Sequence, residues 1–278
     1  MSELFAAGAL SGKRVLITGG GSGLGRAVAR RSAALGASVF ICGRRADILT
    51  RTADEIQEEY GASVVSISCD VREEGAVAEM MESIWSVGPL DALVNNAGGA
   101  ILSRAETLSV RAFDAVHRVV VNGTLNCTLE AARRWMAADR GGTVISTVAS
   151  GVESGQPFTA PLTVAKGAVM TLMRSLALEW GPRGIRCNAI APGRFPTSGV
   201  SGSLGKGREA NPLKGVPLRR YGSEHEFADL CVFLMSDAAS FITGEMVTID
   251  GGAALMRQST SDLFDWDDEQ WGRLRAKR

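Results

Sequence analysis

The sequence predicts one doubly wound α/β domain, in which a parallel sheet of about seven strands carries helices on both faces. Three observations predict it: short and nearly continuous apolar runs, helical patterns that alternate with these runs, and a glycine-rich turn after the first run. Continuous apolar runs are typical of parallel strands, because helices cover both faces of such a sheet. At 278 residues, the chain is long enough for one large domain with a substantial core.

Seven runs have the length and composition of buried strands. They are Arg14–Thr18, Ser38–Cys42, Ser63–Ser68, Ala92–Asn95, Thr143–Thr147, Arg186–Ile190 and Val247–Ile249. Six helical patterns accompany them: Gly23–Leu35, Ala46–Tyr60, Glu73–Trp85, Val110–Ala138, Leu162–Trp180 and Glu224–Ser236. Pro161 suits the first turn of the fifth helix, and Gly181 with Pro182 ends that helix. We therefore expect one domain over residues 1–252, followed by a tail over residues 253–278 that packs on the domain or on a neighbouring subunit.

The composition is typical of a globular domain, with 45% hydrophobic and 22% charged residues. Its 30 basic and 30 acidic residues cancel, so nothing indicates a nucleic-acid or membrane partner. Five widely spaced cysteines, without a C-x-x-C pair, predict free thiols in a reducing compartment and no metal site. No apolar run approaches the ~20 residues of a membrane span, and residues 1–10 lack the basic start of a signal peptide. We expect a cytoplasmic protein.

The glycine-rich turn after the first predicted strand is the first candidate binding site. It reads Thr18-Gly-Gly-Gly-Ser-Gly-Leu-Gly25 and leads into the first predicted helix. Glycines in such a turn let the backbone approach a pyrophosphate, which then faces the amino terminus of the helix. The alternative is a tight turn that binds nothing, but the order of strand, turn and helix favours a Rossmann-like dinucleotide site. The candidate cofactor-binding residues of this turn are Gly19, Ser22, Gly23, Leu24 and Gly25.

The end of the second predicted strand indicates which nicotinamide cofactor is bound. A site selective for NAD places a carboxylate here, about twenty residues after the glycines. This chain has no carboxylate before Asp47 and offers Arg44 and Arg45 instead. A guanidinium pairs well with a 2′-phosphate, so the sequence favours NADP(H). The alternative is that both arginines only solvate the end of the strand.

Three motifs along the chain resemble those of the short-chain dehydrogenase/reductase family. They are the glycine-rich turn, Asn95-Asn-Ala-Gly98 and Leu162-Thr-Val-Ala-Lys166, and Asn188-Ala-Ile-Ala-Pro192-Gly193 follows them. The resemblance implies an enzyme in which Lys166 holds the ribose hydroxyls of the nicotinamide. It also implies further cofactor contacts, which are Asp70 and Val71 beside the adenine, Asn96, Ala97 and Gly98 along the ribose, Pro192 and Gly193 around the nicotinamide, and Thr197 near its carboxamide.

The chain departs from this family at the usual general acid. Most members have a tyrosine four residues before the lysine, but this chain has Leu162 there, and its two tyrosines, Tyr60 and Tyr221, are far away in sequence. Losing a general acid costs about 10²–10⁴-fold in rate, and reduction of a ketone needs one because it creates an alkoxide. Reduction of a double bond conjugated to a thioester is less demanding, because the charge spreads into an enolate and water can supply the proton.

A second resemblance, from about Lys13 to Gly252, points to the same chemistry. Four segments resemble the 2,4-dienoyl-CoA reductase branch of the family: Val121-Asn-Gly-Thr124, Leu178-Glu-Trp-Gly181, Pro192-Gly-Arg-Phe-Pro-Thr197 and Ile249-Asp-Gly-Gly252. That branch has a serine in place of the usual tyrosine, and it places another tyrosine and an asparagine elsewhere in its site. The corresponding positions here are Leu162, Gly151 and Ala100. The catalytic side chains of the branch are therefore replaced.

Asn122 and Ser150 are the candidate catalytic residues besides Lys166. Asn122 is expected to bond the backbone of the fourth helix and to orient a water molecule; the alternative is an amide inside a helix. Ser150 lies one place from Ala149, where the usual family serine aligns. As an alternative, Ser150 and the nearby Thr147 are hydroxyls that cap a helix or a turn.

The segment from Arg194 to Gly222 carries an excess of positive charge. Its ionisable side chains, apart from one tyrosine, are Arg194, Lys206, Arg208, Glu209, Lys214, Arg219 and Arg220. We expect a lid that receives an anionic substrate such as an acyl-CoA thioester, whose phosphates pair with arginine and lysine. The alternative is a solvated loop paired with the acidic tail.

These observations predict an NADP-dependent oxidoreductase that reduces a conjugated carbon–carbon double bond of the enoyl- or dienoyl-CoA type. One alternative is a short-chain reductase of an unknown carbonyl substrate, with Ser150 or Thr147 as a weak proton donor. Another is a cofactor-binding pseudoenzyme with a structural or regulatory role. The resemblance also implies a homo-oligomer, with a tetramer as the expected form, in which the last helices and strand pair across a two-fold axis.

Overall fold

The computed structural model describes residues 5–196, 213–256, 267 and 269–271, and these fold around one parallel sheet. The strands are β1 Arg14–Thr18, β2 Ser38–Gly43, β3 Val64–Ser68, β4 Ala92–Asn95, β5 Gly142–Thr147, β6 Ile185–Pro192 and β7 Met246–Ile249. The helices are α1 Gly23–Ala34, α2 Ala46–Tyr60, α3 Glu74–Val87, α4 Val110–His117, α5 Gly123–Ala137, α6 Ala160–Trp180 and α7 Glu224–Met235. The predicted doubly wound α/β class is confirmed.

The strand order determines where a ligand can bind. All neighbouring strands are parallel, and they lie in the order β3-β2-β1-β4-β5-β6-β7. The chain winds outward from β1 to β3 and then continues at β4, on the other side of β1. The loops at the carboxyl ends of β1 and β4 therefore run in opposite directions and leave a crevice, which is the usual ligand site of such sheets.

Helices cover both faces of the sheet because its strands are apolar on both sides. On one face pack α1, α2 and α7, whose buried side chains include Val28, Ile56 and Phe227. On the other face pack α3, α5 and α6, with Met81 and Trp135 among their buried side chains. The two apolar layers hold the carboxyl ends of the strands in fixed positions.

The fourth predicted helix is interrupted. The sequence predicts one helix over Val110–Ala138, whereas α4 and α5 are joined by a π-helical turn, Arg118–Asn122. Such turns insert an extra residue and are frequent at functional sites. The sixth helix, α6, begins two residues earlier than predicted, and Pro161 lies in its first turn.

The sequence predicts free cysteines, no membrane span and no metal site. The structure bears on these predictions only for the residues that it describes. All five cysteines are buried and unpaired. No described helix is long and apolar enough to cross a membrane. No group of histidine, cysteine and carboxylate side chains in the described ranges could hold a metal ion. Of the predicted tail, the structure describes a short 3-10 helix, Ala253–Leu255, together with residues 256, 267 and 269–271, and the rest lies outside the described residues.

A close contact between Gly142 and Trp135 gives a prediction about stability. A Cβ at Gly142 would lie 2.2 Å from the Trp135 ring. The ring is held in place because its Nε1 donates a hydrogen bond to the Leu90 carbonyl at 2.6 Å. We expect Gly142→Ala to lower the free energy of unfolding by about 1–3 kcal/mol, measured by chemical denaturation. Gly75→Ala is the control, because outside its own turn of helix no described atom lies within 4 Å of that Cβ; equal losses in both variants would contradict the prediction.

Candidate active site

A cleft of about 370 Å³ opens at the carboxyl ends of β1 to β4. Its lining comes from the turns that follow these strands and from the starts of the neighbouring helices. The described lining residues are Gly19, Gly21, Ser22, Gly23, Leu24, Gly43, Arg44, Arg45, Ile48, Leu49, Cys69, Asp70, Val71, Asn96, Ala97, Gly98, Gly99, Ala100, Val119, Leu162 and Lys166. The fold thus brings most of the predicted cofactor-binding residues into one cleft.

The turn between β1 and α1 needs its glycines for two reasons. Gly19 has a φ of +67°, a left-handed conformation that other residues disfavour. A Cβ at Gly25 would lie 2.4 Å from the Gly19 carbonyl oxygen and 2.5 Å from Asn96 Nδ2. Gly25 therefore lies behind the cleft wall and acts by allowing close packing. The turn presents the amino terminus of α1 to the cleft, as a pyrophosphate site requires.

Thr18, the last residue of β1, ties the glycine turn to the loop after β4. Its Oγ1 accepts hydrogen bonds from the backbone N–H groups of Asn96 at 3.0 Å and Ala97 at 2.9 Å. Asn96 Nδ2 donates to the Thr18 carbonyl at 3.2 Å. Sequence reasoning identified Thr18 only as the start of a motif, because the role of its hydroxyl depends on the pairing of β1 with β4.

Positive charge collects at the end of the cleft formed by β2 and β3. Arg44 and Arg45 are exposed there, and Arg45 Nη2 lies 3.5 Å from Ser22 Oγ. Asp70 is engaged by Arg72, whose Nε donates to its two carboxylate oxygens at 2.9 and 3.0 Å. This guanidinium lowers the pKa of Asp70. Because Arg72 neutralises the carboxylate, the two exposed arginines leave this end of the cleft positive.

Lys166 lies at the opposite end of the cleft. Its side chain is buried, and Nζ donates a hydrogen bond to the carbonyl of Thr147, the last residue of β5. A Cβ at Gly98 would lie 3.8 Å from this nitrogen, so the ammonium faces the loop after β4. Burial lowers the pKa of Lys166 from 10.5 to about 8, with no charged group as a further cause. Two N–H donors of the ammonium are left for a ligand.

Leu162 lines the cleft beside Lys166, one helical turn before it on α6. The side chain is partly buried against the core. It therefore occupies the position at which the resemblance places a phenol, and it carries no proton to donate. Neither Tyr60 nor Tyr221 is among the described residues that line the cleft.

Ser150 and Asn122 lie outside the described lining of the cleft. Ser150 follows β5, and its N–H donates to the Pro192 carbonyl at 3.4 Å. Asn122 is exposed at the end of the π-helical turn, and Val119 of the same turn faces the cleft in its place. Neither Ser150 nor Asn122 is therefore among the described residues that line the cleft.

The residues predicted around the nicotinamide lie at the end of β6. Gly193 donates to the Ile249 carbonyl at 2.9 Å, and a Cβ there would lie 2.5 Å from Asp250 Cβ. Pro192 and Gly193 are not among the lining residues of the described cleft. Thr197 lies outside the described residues, as does the part of the predicted lid that contains Lys206, Arg208 and Glu209.

Sequence reasoning missed several apolar lining residues. They are Ile48 and Leu49 on α2, Cys69 after β3 and Val119 in the π-helical turn. Their directions depend on how the helices pack against the sheet. The only signal in the sequence was that some of them lie next to predicted site residues. Cys69 directly precedes Asp70, and Ile48 lies three residues after Arg45.

Comparison with known proteins finds relatives over most of the chain. Residues 19–254 match the family model described as enoyl-(acyl carrier protein) reductase. A probable 2,4-dienoyl-CoA reductase, (2E)-enoyl-CoA-producing, from Bacillus subtilis (strain 168) is 41% identical over 247 residues, which cover 86% of this chain and 96% of that one.

Two solved structures extend the comparison to the fold. A gluconate 5-dehydrogenase from Burkholderia cenocepacia J2315, in complex with NADP and tartrate, has a TM-score of 0.83 and 30% identity, covering 88% of this chain and 96% of that one. A short chain dehydrogenase from Bacillus anthracis str. 'Ames Ancestor' has a TM-score of 0.82 and 36% identity, covering 88% and 98%. The chain therefore belongs to the short-chain dehydrogenase/reductase family.

Proposed function

We propose that the protein is an NADP-dependent reductase of a carbon–carbon double bond conjugated to a thioester, of the enoyl- or dienoyl-CoA type. The observation that carries the proposal is that Leu162 and Lys166 line the cleft together, with leucine where the resemblance places the proton donor. The lysine is present and buried, but the side chain one turn before it has no proton to give. Chemistry that proceeds without a positioned acid suits this site better than ketone reduction.

The residues of the cleft fit a nicotinamide dinucleotide. Because Gly25 has no side chain, it packs closely against the Gly19 carbonyl, and the backbone of the turn can face a pyrophosphate. Arg44 and Arg45 would hold a 2′-phosphate, and Lys166 would hold ribose hydroxyls through its remaining N–H donors. When bound, the cofactor supplies a hydride.

The chain's own contribution to the chemistry is electrostatic. The enolate that forms on a conjugated thioester carries a negative charge, and the buried ammonium of Lys166 stabilises it because the surroundings have a low dielectric constant. In this proposal water supplies the proton to carbon. Ser150 and Asn122 remain predicted assistants, the first as a hydrogen-bond donor and the second through a water molecule.

The relatives support two candidate reactions. The Bacillus subtilis relative is a probable 2,4-dienoyl-CoA reductase, which supports the proposal. The Burkholderia relative is a gluconate 5-dehydrogenase, which favours the second candidate, reaction at a carbonyl carbon. Leu162 argues against that candidate, since an alkoxide would form without a positioned acid.

Assays of the full chain with NADPH distinguish these candidates from a pseudoenzyme. The substrates are 2-enoyl-CoA, 2,4-dienoyl-CoA and β-ketoacyl-CoA thioesters, with NADPH oxidation followed by absorbance and products identified by mass spectrometry. The proposal expects reduction of enoyl or dienoyl substrates and little reduction of ketones. Binding of NADPH without turnover of any substrate would identify a pseudoenzyme and contradict the proposal.

Replacing both Arg44 and Arg45 with alanine is expected to remove a preference for NADPH over NADH. Charge-assisted hydrogen bonds to the 2′-phosphate contribute about 1.5–3 kcal/mol each, so the unmodified protein should discriminate at least about tenfold. Isothermal titration calorimetry with both cofactors measures this ratio. Arg51→Ala is the matched control, since Arg51 is exposed on α2 but does not line the cleft. Equal dissociation constants in the unmodified protein would contradict the prediction.

We further propose a homo-oligomer, with a tetramer as the expected form, in the cytoplasm. Leu255, which follows β7, is 85% exposed and Leu178 is 84% exposed. Strand β7 ends the sheet, so one side of it has no strand partner in the described chain. Exposed apolar side chains and open edges are commonly covered by another subunit. A monomer at micromolar concentration in light scattering would contradict the oligomer.

A further inference from the structure

The mouth of the cleft beside Leu162 is built from small and apolar residues. Residues 97–102, after β4, read Ala-Gly-Gly-Ala-Ile-Leu, and residues 157–162, which lead into α6, read Pro-Phe-Thr-Ala-Pro-Leu. The hydroxyl of Thr159 is buried and donates to the Gln156 carbonyl at 3.3 Å. These two segments therefore offer a ligand few hydrogen-bonding side chains.

Two large apolar side chains are exposed on these segments. Leu102 is 52% exposed and Phe158 is 54% exposed. A hydrogen bond from the Ser103 N–H to the Phe158 carbonyl, at 2.9 Å, joins the two segments. Phe158 has a φ of +66°, where a bulky residue is an outlier. A strained backbone of this kind costs free energy of folding and persists only where the surrounding structure holds it. Such residues cluster at ligand-binding sites.

We propose that Leu102 and Phe158 form an apolar lip that binds the acyl chain of a CoA thioester where the chain leaves the cleft. The lip is continuous with the cleft, because Ala100 and Leu162 line the cleft and lie two and four residues from the lip residues. A polyol would find few side-chain partners for its hydroxyls here, whereas an acyl chain buries apolar surface against both side chains. This inference rests on the proposed function and adds that the preferred substrate has a chain long enough to reach the lip.

Calorimetric titration with butanoyl-CoA and decanoyl-CoA, in the presence of NADP⁺, tests the lip without turnover. Each buried methylene group strengthens binding about fourfold. We expect the unmodified protein to bind decanoyl-CoA at least about tenfold more tightly than butanoyl-CoA. Leu102→Ser and Phe158→Gly should reduce this preference to about threefold or less, with the affinity for butanoyl-CoA unchanged.

Two features of the design separate binding from folding. Glycine adopts a φ of +66° without strain, so Phe158→Gly should unfold at the same temperature as the unmodified protein or higher. Phe241→Gly is the matched control. Phe241 is an exposed phenylalanine that precedes β7. It therefore lies near the amino ends of the parallel strands, whereas the cleft lies at their carboxyl ends. This control should keep the full preference for the longer chain.

The outcomes distinguish the lip from the proposed function. Equal affinity for the two thioesters in the unmodified protein overturns the lip and leaves the proposed reduction standing. An unchanged preference in Phe158→Gly, or a loss as large in Phe241→Gly, also overturns it. Failure of the unmodified protein to bind either thioester overturns the lip and the proposed function together.

Discussion

Replacing Lys166 with methionine is expected to lower kcat/KM at least about 10²-fold and to make the fold more stable at neutral pH. Burial lowers the pKa of this lysine from 10.5 to about 8, so at pH 7 the folded protein holds a desolvated charge at a cost of up to about 3 kcal/mol. Methionine fills a similar volume without that charge. Loss of the hydrogen bond to the Thr147 carbonyl offsets about 1 kcal/mol. We expect a net gain of about 2 kcal/mol in the free energy of unfolding.

The gain should shrink as the pH rises. Between pH 8 and pH 10.5 the unfolded chain keeps the Lys166 proton and the folded protein releases it. The unfolded state therefore binds more protons in this window, so the unmodified protein becomes more stable as the pH rises through it. Urea denaturation of both proteins at pH 7 and pH 10 measures the difference.

Lys13→Met is the matched control for this measurement. Lys13 is partly exposed and pairs with Asp237 at 3.4 Å, on the surface. Its replacement should change stability by less than about 1 kcal/mol. If Lys166→Met were less stable than the unmodified protein at pH 7, desolvation of the ammonium would not be the dominant cost.

In Lys166→Met, kcat/KM should fall at least about 10²-fold. The nicotinamide ribose would lose its charged hydrogen-bond donor, and the reacting atoms would lose their alignment. NADPH should still bind, more weakly, since Arg44, Arg45 and the glycine turn are unchanged. Calorimetry of cofactor binding therefore serves as the internal control. Unchanged kcat/KM in this variant would remove Lys166 from the catalytic residues.

Replacing Leu162 with tyrosine is expected to create a weak carbonyl reductase. The new phenol would lie one helical turn before Lys166, whose ammonium lowers the pKa of a neighbouring phenol. A general acid contributes about 10²–10⁴-fold. The gain should stay well below that of a native reductase, because Ala149 stands where the usual partner serine aligns and groups that act together are not additive. NADPH-dependent reduction of β-ketoacyl-CoA, measured before and after the change, gives the result.

Leu162→Phe is the control, because it adds the ring without the hydroxyl. We expect at least about a tenfold increase in ketone reduction for the tyrosine variant and none for the phenylalanine variant. Efficient ketone reduction by the unmodified protein would show that another group supplies the proton. Conjugate reduction would then no longer be favoured over ketone reduction.

The sequence predicted the sheet and most of the cleft because their signals are local. Apolar runs such as Arg14–Thr18 form strands almost wherever they occur between helices, and a glycine turn between strand and helix has few other uses. The same locality explains the errors. The fourth helix is interrupted at Arg118–Asn122, where Val120 is buried and the segment packs against α6. These are tertiary contacts, and the sequence of the segment shows no break in its helical pattern.

The sequence by itself determined the fold class, the family, the glycine turn and the absence of a tyrosine before Lys166. The tertiary structure decided what surrounds these residues. It buries Lys166 against the Thr147 carbonyl, which lowers its pKa, and it ties Thr18 to the loop after β4. It also joins the segments that carry Leu102 and Phe158. Desolvation, hydrogen bonding and exposure depend on groups that are distant along the chain, and only folding brings those groups together.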